Sequence, residues 1–270
     1  MWTRDTAPPR PGVPSPATER ATLVLAPNAN AWTFEGTNTW VLTEPGSDVC
    51  AVLDPGPDDD DHLAAILAAV GERRIVAVLV AHAHHDKAEL ALRLAAVTGA
   101  PVRAAHPRLT DEPLQDDDEI AVGALTVRVL CTPAHTGDSV CFLLPAEGSV
   151  LTGHTVLGGG SPIVKPGRLG QFFDSLDRLS EVLAAPGSVN LPGHGPALPD
   201  PLAQIERRRK ARLRRVGQVV DAMASGIHDP EDLVDDHLYP DLHPDLRDAA
   251  RISVEAVPVH VQTDPDPVPS

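Results

Sequence analysis

The sequence predicts an α/β protein: a layered sandwich of strands and helices, followed by a small helical appendage. Short apolar runs bounded by turn residues first follow one another closely, as in a meander, and later alternate with stretches at helical spacing. A change of composition near residue 200 introduces a long arginine-rich stretch. A chain of 270 residues can bury one large core with a small addition.

The elements predicted for the first half end at residues that stop strands and helices. The Asp-Pro-Gly-Pro sequence at 54–57 is a strong turn signal after a strand, and Gly-Ala-Pro at 99–101 ends a helix. The acidic run 58–61 suits the start of the following helix, so we assign His62 to that helix start and not to a metal site. The predicted strands are 21–26, 38–43, 50–53, 75–80 and 102–105, and the predicted helices are 62–70 and 89–98.

The second half begins with an acidic loop at 109–119 and then alternates strands with longer helices. The predicted strands are 125–131, 140–144, 150–152 and 189–191, and the predicted helices are 170–183, 202–224, 229–237 and 244–257. We therefore divide the chain into a main domain at 21–200 and a helical appendage at 201–262. Proline-rich composition predicts disordered tails at 1–20 and 263–270.

Composition excludes several classes of protein. The formal net charge of −16 argues against a broad nucleic-acid surface, which needs a basic footprint. No apolar run is long enough to predict a transmembrane helix. The three cysteines, Cys50, Cys131 and Cys141, lie in strand-like contexts without a Cys-x-x-Cys pair, which predicts reduced thiols and a cytoplasmic location. The oligomeric state is not indicated.

Histidines recur just after predicted strands. His82 and His84 follow the apolar run 75–80, and because they are two residues apart their side chains leave an extended segment on the same side. His135, His154 and His194 each follow a later strand, beside glycine or proline residues that let the backbone turn. Four such loops predict one metal centre, for which imidazole suits zinc or iron.

This ordered set resembles the metallo-beta-lactamase superfamily, with its H-x-H-x-D-H loop and later His, Asp and His ligands. The segments 36–40 (GTNTW), 54–56 (DPG), 132–136 (TPAHT), 155–158 (TVLG) and 192–196 (PGHGP) resemble the subgroup that includes a mitochondrial endoribonuclease and is related to glyoxalase II. The resemblance covers residues 21–200 well. It implies a four-layer αββα sandwich with a winged-helix-like helical appendage, and it says little about the substrate.

The chain departs from the family pattern at the second metal position. The pattern expects histidine where Lys87 stands, a bridging aspartate where His154 stands and often Gly-Gly at 88–89. A protonated lysine is a poor ligand, and two unit charges about 4 Å apart repel by about 4 kcal/mol at an effective dielectric constant of about 20. We therefore expect one metal ion on His82, His84 and His135. The alternative keeps two metal ions, with a neutral Lys87 as a ligand.

The remaining site residues are assigned by their proximity in sequence or by the resemblance. His154 is a candidate fourth ligand, and Asp86 and His194 are expected to stay close to the metal, with Asp86 paired to Lys87. His85 is expected to point away from the other two histidines of its loop. Asp54 is either a hydrogen-bonding support for the site or a turn-capping residue.

A three-histidine zinc site with an open position is a hydrolytic centre, because the metal lowers the pKa of bound water and supplies hydroxide at neutral pH. We expect Asp86 to orient that water or take its proton, and Lys87 to stabilise the developing oxyanion. If His154 instead completes a four-histidine shell, the site is structural or must release a ligand before turnover.

The sequence thus predicts a metal-dependent hydrolase of an ester, thioester or phosphodiester, with zinc as the favoured metal. Alternatives are a mononuclear-iron redox enzyme of the persulfide-dioxygenase kind and a regulatory protein whose second site has decayed. A small-molecule or thioester substrate is favoured over RNA by the net charge. The basic stretch 207–215 is either a phosphate-binding surface or a solvated helix face. In the loop after residue 160, the candidates for substrate contact are Ser161, Lys165 and Arg168.

Overall fold

Two β-sheets packed face to face form the centre of the molecule, and helices cover their outer faces. The computed structural model describes residues 1–184, 187–239 and 242–263. The first sheet contains, in spatial order, β1 (Ser15–Pro16), β2 (Ala21–Leu25), β3 (Asn38–Leu42), β4 (Val49–Leu53), β5 (Arg74–Val80) and β6 (Val102–Ala104). The second contains β7 (Glu119–Val122), β8 (Leu125–Cys131), β9 (Val140–Leu144), β10 (Ser149–Gly153) and β11 (Asn190–Pro192), ordered from β7 to β11 across the sheet.

Both sheets begin as antiparallel meanders and end in parallel pairs. In the first sheet, β1 to β4 pair antiparallel, while β4, β5 and β6 run parallel. In the second, β7 to β10 pair antiparallel and β11 joins β10 in parallel. Parallel neighbours need a crossover, which helices provide. The order confirms the predicted change from a meander to alternating strands and helices.

The helices fall into two groups, one on each outer face. The first group is α1 (Asp60–Val70), α2 (His85–Ala88) and α3 (Ala91–Thr98). The second is α4 (Leu169–Val182), α5 (Pro201–Ala224), α6 (Pro230–Asp232) with the π-helix Leu233–Leu238 that continues it, and α7 (Arg247–Thr263), preceded by the 3-10 turn Pro244–Leu246. Across these described residues, no helix combines the length and apolarity that crossing a bilayer requires.

Three apolar clusters fill the spaces between the layers. The cluster between the sheets includes Trp40, Leu79 and Phe142, all almost completely buried. A second lies between the first sheet and α1 and α3, and a third between the second sheet and α4, α5 and α7. The helix–sheet–sheet–helix order confirms the predicted four-layer sandwich.

The predicted N-terminal cap of the first helix is present. Asp59 precedes α1, and its side chain accepts a hydrogen bond from the backbone N–H of His62 at 2.7 Å. Asp60 and Asp61 occupy the first turn, where negative charge suits the helix dipole. The acidic run therefore starts the helix, which begins two residues earlier than predicted.

Predictions about two irregular segments need correction. The acidic segment is a loop over 109–118, as predicted, but its last predicted residue, Glu119, begins the unpredicted strand β7, which pairs with β8. The N-terminal segment, predicted as a disordered tail, is ordered: residues 15–16 pair with β2, and Trp2 is 7% exposed within the inter-sheet cluster. The backbone N–H of Ala197 also donates to the Trp2 carbonyl at 3.1 Å. One buried indole anchors a segment whose proline content predicts disorder. The predicted C-terminal tail lies almost wholly outside the described residues.

Trp2 offers a direct test of this correction. Trp2→Ala should lower the free energy of unfolding by about 3 kcal/mol, because it removes a large side chain from a packed cluster. Trp32, which is 42% exposed, provides the matched control, and Trp32→Ala should change stability by less than about 0.5 kcal/mol. Denaturant unfolding of the two variants measures both values. Equal stability of the two variants would contradict the burial of Trp2 and support the predicted disordered tail.

Candidate metal centre

The loop that carries the first two histidines is held from both sides. It follows β5, whose last four residues are buried. The Asp54 carboxylate accepts the backbone N–H of Ala81 at 2.8 Å, and Asp54 itself adopts a positive φ of 50°. Asp138 accepts the backbone N–H of Ala83 at 2.9 Å. Of the two roles considered for Asp54, the structure places its side chain in the supporting one.

Four imidazoles converge at the end of this strand. The Nε2 atom of His82 lies 3.1 Å from Nδ1 of His84, which in turn lies 3.1 Å from Nε2 of His135. Nδ1 of His154 lies 3.0 Å from the same His135 nitrogen. One nitrogen from each ring therefore falls within 4.8 Å of the others. The structure brings together the histidines that the sequence singled out, including His154.

This geometry fits a small cation. In tetrahedral zinc sites the metal–nitrogen distance is about 2.0–2.1 Å, which separates the ligand nitrogens by about 3.3 Å. The Nδ1–H of His135 donates to the Ile163 carbonyl at 3.0 Å, so its Nε2 directs a lone pair at the cluster. Neutral nitrogens at this spacing repel one another unless a cation or a proton lies between them.

The histidines are held in the neutral form that binds metals. Burial lowers the pKa of His135 to about 4. Burial and the neighbouring imidazoles hold the pKa of His82 well below its usual value. The pKa of His84 is lowered by burial, although Asp86 opposes the shift. Neutral imidazole is the state that coordinates zinc or iron.

A second group of possible ligands adjoins the first. Nε2 of His194 lies 3.0 Å from the Asp86 carboxylate, and Nε2 of His154 lies 3.6 Å from the same oxygen. His194 donates its Nδ1–H to the Gly36 carbonyl at 3.0 Å. A neutral His194 then points a lone pair at a carboxylate, so this contact requires a proton or a cation. Asp86 and His194 thus lie beside the four-histidine cluster, as predicted.

Asp86 is kept ionised by its neighbours. Burial alone favours the protonated acid, but the adjacent imidazoles of His154 and His194 and the charge of Lys87 outweigh it, so the pKa of Asp86 is lowered. Its side chain remains 23% exposed, which leaves it open toward solvent. Asp86 can therefore accept a hydrogen bond from a group that enters the site, while its lowered pKa makes it a weak base.

Lys87 is completely buried behind the ligands. Its ammonium donates to the Gly193 carbonyl at 2.5 Å and lies 3.9 Å from carboxylate oxygens of both Asp54 and Asp86. Burial lowers the pKa of Lys87, while the two carboxylates oppose that shift. Burial raises the pKa of Asp54 to about 6 against the influence of Lys87. The predicted pairing with Asp86 is present, and the complete burial favours support of the site over contact with a developing oxyanion.

Two neighbouring histidines lie apart from the clusters. The side chain of His85 is 91% exposed and pairs with Glu89 at 2.9 Å, so it points away from His82 and His84 as expected. His62 is buried in the first turn of α1, with Nε2 2.9 Å from the Thr39 hydroxyl. Burial lowers the pKa of His62 to about 4.

The basic stretch of α5 is neither a phosphate-binding surface nor a fully solvated helix face, because two of its arginines point inward. Arg212 is 8% exposed, donates to the Pro162 carbonyl at 2.7 Å and donates to the Ser161 hydroxyl at 2.9 Å. Arg208 donates to the carbonyls of Leu157 and Gly160. These guanidiniums are turned inward onto the loop after His154 because its carbonyls offer acceptors. They are therefore unavailable as a phosphate-binding surface, and Ser161 is engaged by the helix.

Several supporting groups escaped the sequence interpretation. The carboxylate of Asp138 and the carbonyls of Gly36, Ile163 and Gly193 all fix site residues. Asp138 follows His135 by three residues, so its position in the sequence could have indicated a role in supporting the site. A backbone carbonyl has no residue-specific signature, so the other three could not be recognised before the fold was known.

A shallow cleft of about 370 Å³ lies near the loops that follow His154 and His194. Gly158, Gly159 and Gly195 line it together with Trp2 and Phe34, and Gly195 directly follows His194. The N-terminal segment therefore meets these two loops at the cleft, which includes none of the four clustered histidines.

The cysteines behave as predicted for reduced thiols. All three are free, and Cys50 and Cys141 are buried. Burial raises the pKa of each of these two thiols to about 11, which keeps them protonated and unreactive. They do not belong to the groups of metal-binding candidates found among the described residues.

Comparison with known proteins identifies the family. Residues 32–110 match the family model described as the metallo-beta-lactamase superfamily. A curated relative, the atrochrysone carboxyl ACP thioesterase of Aspergillus chevalieri, is 30% identical over 223 residues, which are 80% of this chain and 69% of the relative. The chain belongs to the metallo-beta-lactamase superfamily. It is a hydrolase of that fold, which confirms the predicted class of metallo-hydrolase.

Other relatives and solved structures agree at the level of the fold. The lactamase-like protein nscB of Aspergillus fumigatus is 28% identical over 77% of this chain and 63% of its own length. The chain spans about two thirds of the curated relatives it matches, from 62% to 69% of their lengths. The crystal structure of a beta-lactamase domain protein from Burkholderia ambifaria superimposes with a TM-score of 0.79 at 19% identity, covering 95% of this chain and 89% of that one. These relatives do not establish the endoribonuclease and glyoxalase II subgroup, which stays a prediction.

The shifted pKa of His62 makes a prediction about stability. Its pKa is about 4 in the folded protein and 6.5 in the reference state, so the unfolded chain binds more protons between these values. Stability is therefore complete above the unfolded pKa and falls as pH drops through the window. Between about pH 7 and about pH 5 this one group should cost about 2 kcal/mol.

His62→Gln isolates that contribution. The four clustered histidines titrate alike in parent and variant, so the difference between the pH profiles of the two proteins reports His62. The parent should lose about 2 kcal/mol more than the variant over this pH range, measured by denaturant unfolding. Parallel pH profiles for the two proteins would contradict the buried neutral state of His62.

Proposed function

We propose that the protein is a thioesterase with one metal ion, zinc in the favoured case, held by His82, His84, His135 and His154. The reaction adds water to a thioester, breaks the carbon–sulfur bond, and releases a carboxylate and a thiol. The convergence of four neutral imidazole nitrogens at 3.0–3.1 Å carries the proposal. The curated relative named as a carboxyl ACP thioesterase supports a thioester over the other substrates considered.

The chain's own residues divide the work between ligation, orientation of water and support. When bound, the metal would supply a Lewis acid that activates water and polarises the thioester carbonyl. Asp86, ionised and partly exposed, accepts a hydrogen bond from the attacking water and orients it. His194 fixes Asp86 from behind through their 3.0 Å contact. If all four histidines hold the metal, one of them would have to give up its coordination position to water or substrate. We assign this role to His154, which also lies 3.6 Å from Asp86.

One metal ion is favoured over two. The group Asp86, His154 and His194 has the spacing of a second site, but the buried Lys87 ammonium stands 3.9 Å from Asp86. A second divalent ion beside this charge is disfavoured unless Lys87 loses its proton. A proton shared between His194 and Asp86 satisfies their contact without another metal.

Hydrolysis of simple thioesters tests the proposed activity. The parent should hydrolyse acyl thioesters of N-acetylcysteamine, with thiol release followed by a chromogenic reagent. His84→Ala should lower kcat/KM by at least about a hundredfold, because it removes a ligand at the centre of the cluster. His85→Ala is the matched control, since the side chain of this neighbour is 91% exposed and pairs with Glu89, and it should retain the parent's kcat/KM. A parent that turns over no thioester, lactone, lactam or RNA substrate refutes the hydrolase proposal.

Metal analysis tests the number of ions. The parent should contain about one zinc per chain. The double variant Lys87→His and His154→Asp should bind a second ion, because it removes the buried charge and adds a bridging carboxylate. If the protein is instead a regulatory protein whose second site has decayed, the parent should have no hydrolase activity and this double variant should gain it. Stoichiometric iron with oxygen uptake on a persulfide would support the redox alternative. The cytoplasmic location and the division at residue 200 stay predictions.

A further inference from the structure

Cations without an acidic partner gather around the metal centre. The chain carries a net charge of −16, and many of its arginines are paired with carboxylates, as Arg93 and Arg178 are. By contrast, within the described ranges no carboxylate lies within 4.0 Å of Arg108, Lys165 or Arg168. Other cations of the described residues, such as Arg74 and Arg214, also lack a carboxylate partner, so it is the position of these three beside the candidate ligands that carries the inference.

Backbone contacts place these cations around the metal ligands. Arg108 directs a guanidinium nitrogen to the carbonyl of Ala83, the residue between His82 and His84, at 3.5 Å. On the other side, the Arg168 guanidinium covers Gly137, where an added methyl group would meet it at 3.2 Å. Gly137 follows His135 by two residues, so Arg168 lies beside the third ligand.

Lys165 completes this arrangement. It follows Ile163, whose carbonyl orients His135, by two residues, and the backbone N–H of Arg168 donates to the Lys165 carbonyl at 3.1 Å. The exposed ammonium of Lys165 belongs to the same turn as Arg168.

The nearby carboxylates are committed to other contacts. Asp138 accepts the Ala83 N–H, and Asp86 is held by His194. Neither forms an ion pair with the three cations within 4.0 Å. The side chains of Arg108, Lys165 and Arg168 are therefore not paired with these two carboxylates and can approach an anion that enters the site.

We propose that Arg108, Lys165 and Arg168 form a cationic rim that binds an anionic group of the thioester substrate. This inference rests on the proposed thioesterase function and adds the class of substrate. The anion has two sources: a phosphate on the thiol side, as in a phosphopantetheine arm, or a carboxylate on the acyl side. Arginine and lysine at the rim suit either one.

The experiment compares matched neutral and anionic thioesters. Butyryl-pantetheine is compared with butyryl-4′-phosphopantetheine for the thiol side, and butyryl with succinyl thioesters of N-acetylcysteamine for the acyl side. The readout is the ratio of kcat/KM for the anionic substrate to that for its neutral partner, in the parent, in Lys165→Gln with Arg168→Gln, and in Arg108→Gln.

Arg74→Gln is the matched control for lost charge. Arg74 is exposed, is absent from the ion pairs among the described residues, and begins β5. Its backbone lies about 20 Å from the end of the strand that carries the histidine loop. It tests whether net charge alone changes the ratio.

The parent should prefer one anionic substrate by at least about fivefold, and added salt should reduce this preference. The rim variants should lose it while Arg74→Gln keeps it. An anionic-to-neutral ratio near one in the parent, or an equal loss of preference in Arg74→Gln, overturns the rim. Hydrolysis of the neutral thioesters separates the two proposals: if it occurs without anion preference, only the rim fails, whereas its absence with all thioesters removes the thioesterase proposal.

Discussion

The structure depends on the crowding of four imidazole nitrogens at the end of one buried strand. Nitrogens at 3.0–3.1 Å need a hydrogen or a cation between them, and the tautomers of the neutral rings decide which nitrogens carry a hydrogen. Three hydrogen bonds from other parts of the chain hold the rings and their loops in place. Asp54 and Asp138 fix the backbone of the first loop, and the Ile163 carbonyl selects the tautomer of His135. The site is therefore organised before any cation arrives.

Lys87 connects this site to the second sheet. Its ammonium reaches from the loop after β5 to the carbonyl of Gly193, and the Gly193 N–H donates to Gly153 at 2.8 Å. Each of these glycines precedes a histidine of the site. A methyl group on Gly193 would lie 2.6 Å from the Lys87 ammonium and 2.8 Å from the Gly153 carbonyl, so only glycine permits this approach. The buried charge is tolerated because two carboxylates and a carbonyl surround it.

Sequence patterns predicted the elements whose burial is periodic and the ligands that follow them. The strand ending at Val80 and the helix over 170–183 were recognisable because local apolar spacing is sufficient evidence for such elements. The burial of Trp2 in the core was not recognisable from the sequence, because it depends on a long-range contact made by a proline-rich segment. For the site, histidines were visible as residue types, whereas the distances and carbonyl partners that decide their protonation exist only in the fold. The outward direction of His85 was predictable, since it follows from alternation along the chain.

The compositional change near residue 200 does not interrupt the packing. Phe172 of α4, Val216 of α5 and Val254 of α7 share one apolar cluster with the second sheet. Arg212 crosses the same boundary, and its buried charge is balanced by a carbonyl, a hydroxyl and the ring of Phe172, with the guanidinium 5.3 Å from the ring centre. Arg212 contacts the loop at Ser161 and Pro162, and the next residue is Ile163, whose carbonyl accepts the hydrogen bond from His135. A displacement of α5 would therefore disturb the loop whose carbonyl orients His135, so α5 helps to hold the candidate metal centre in place.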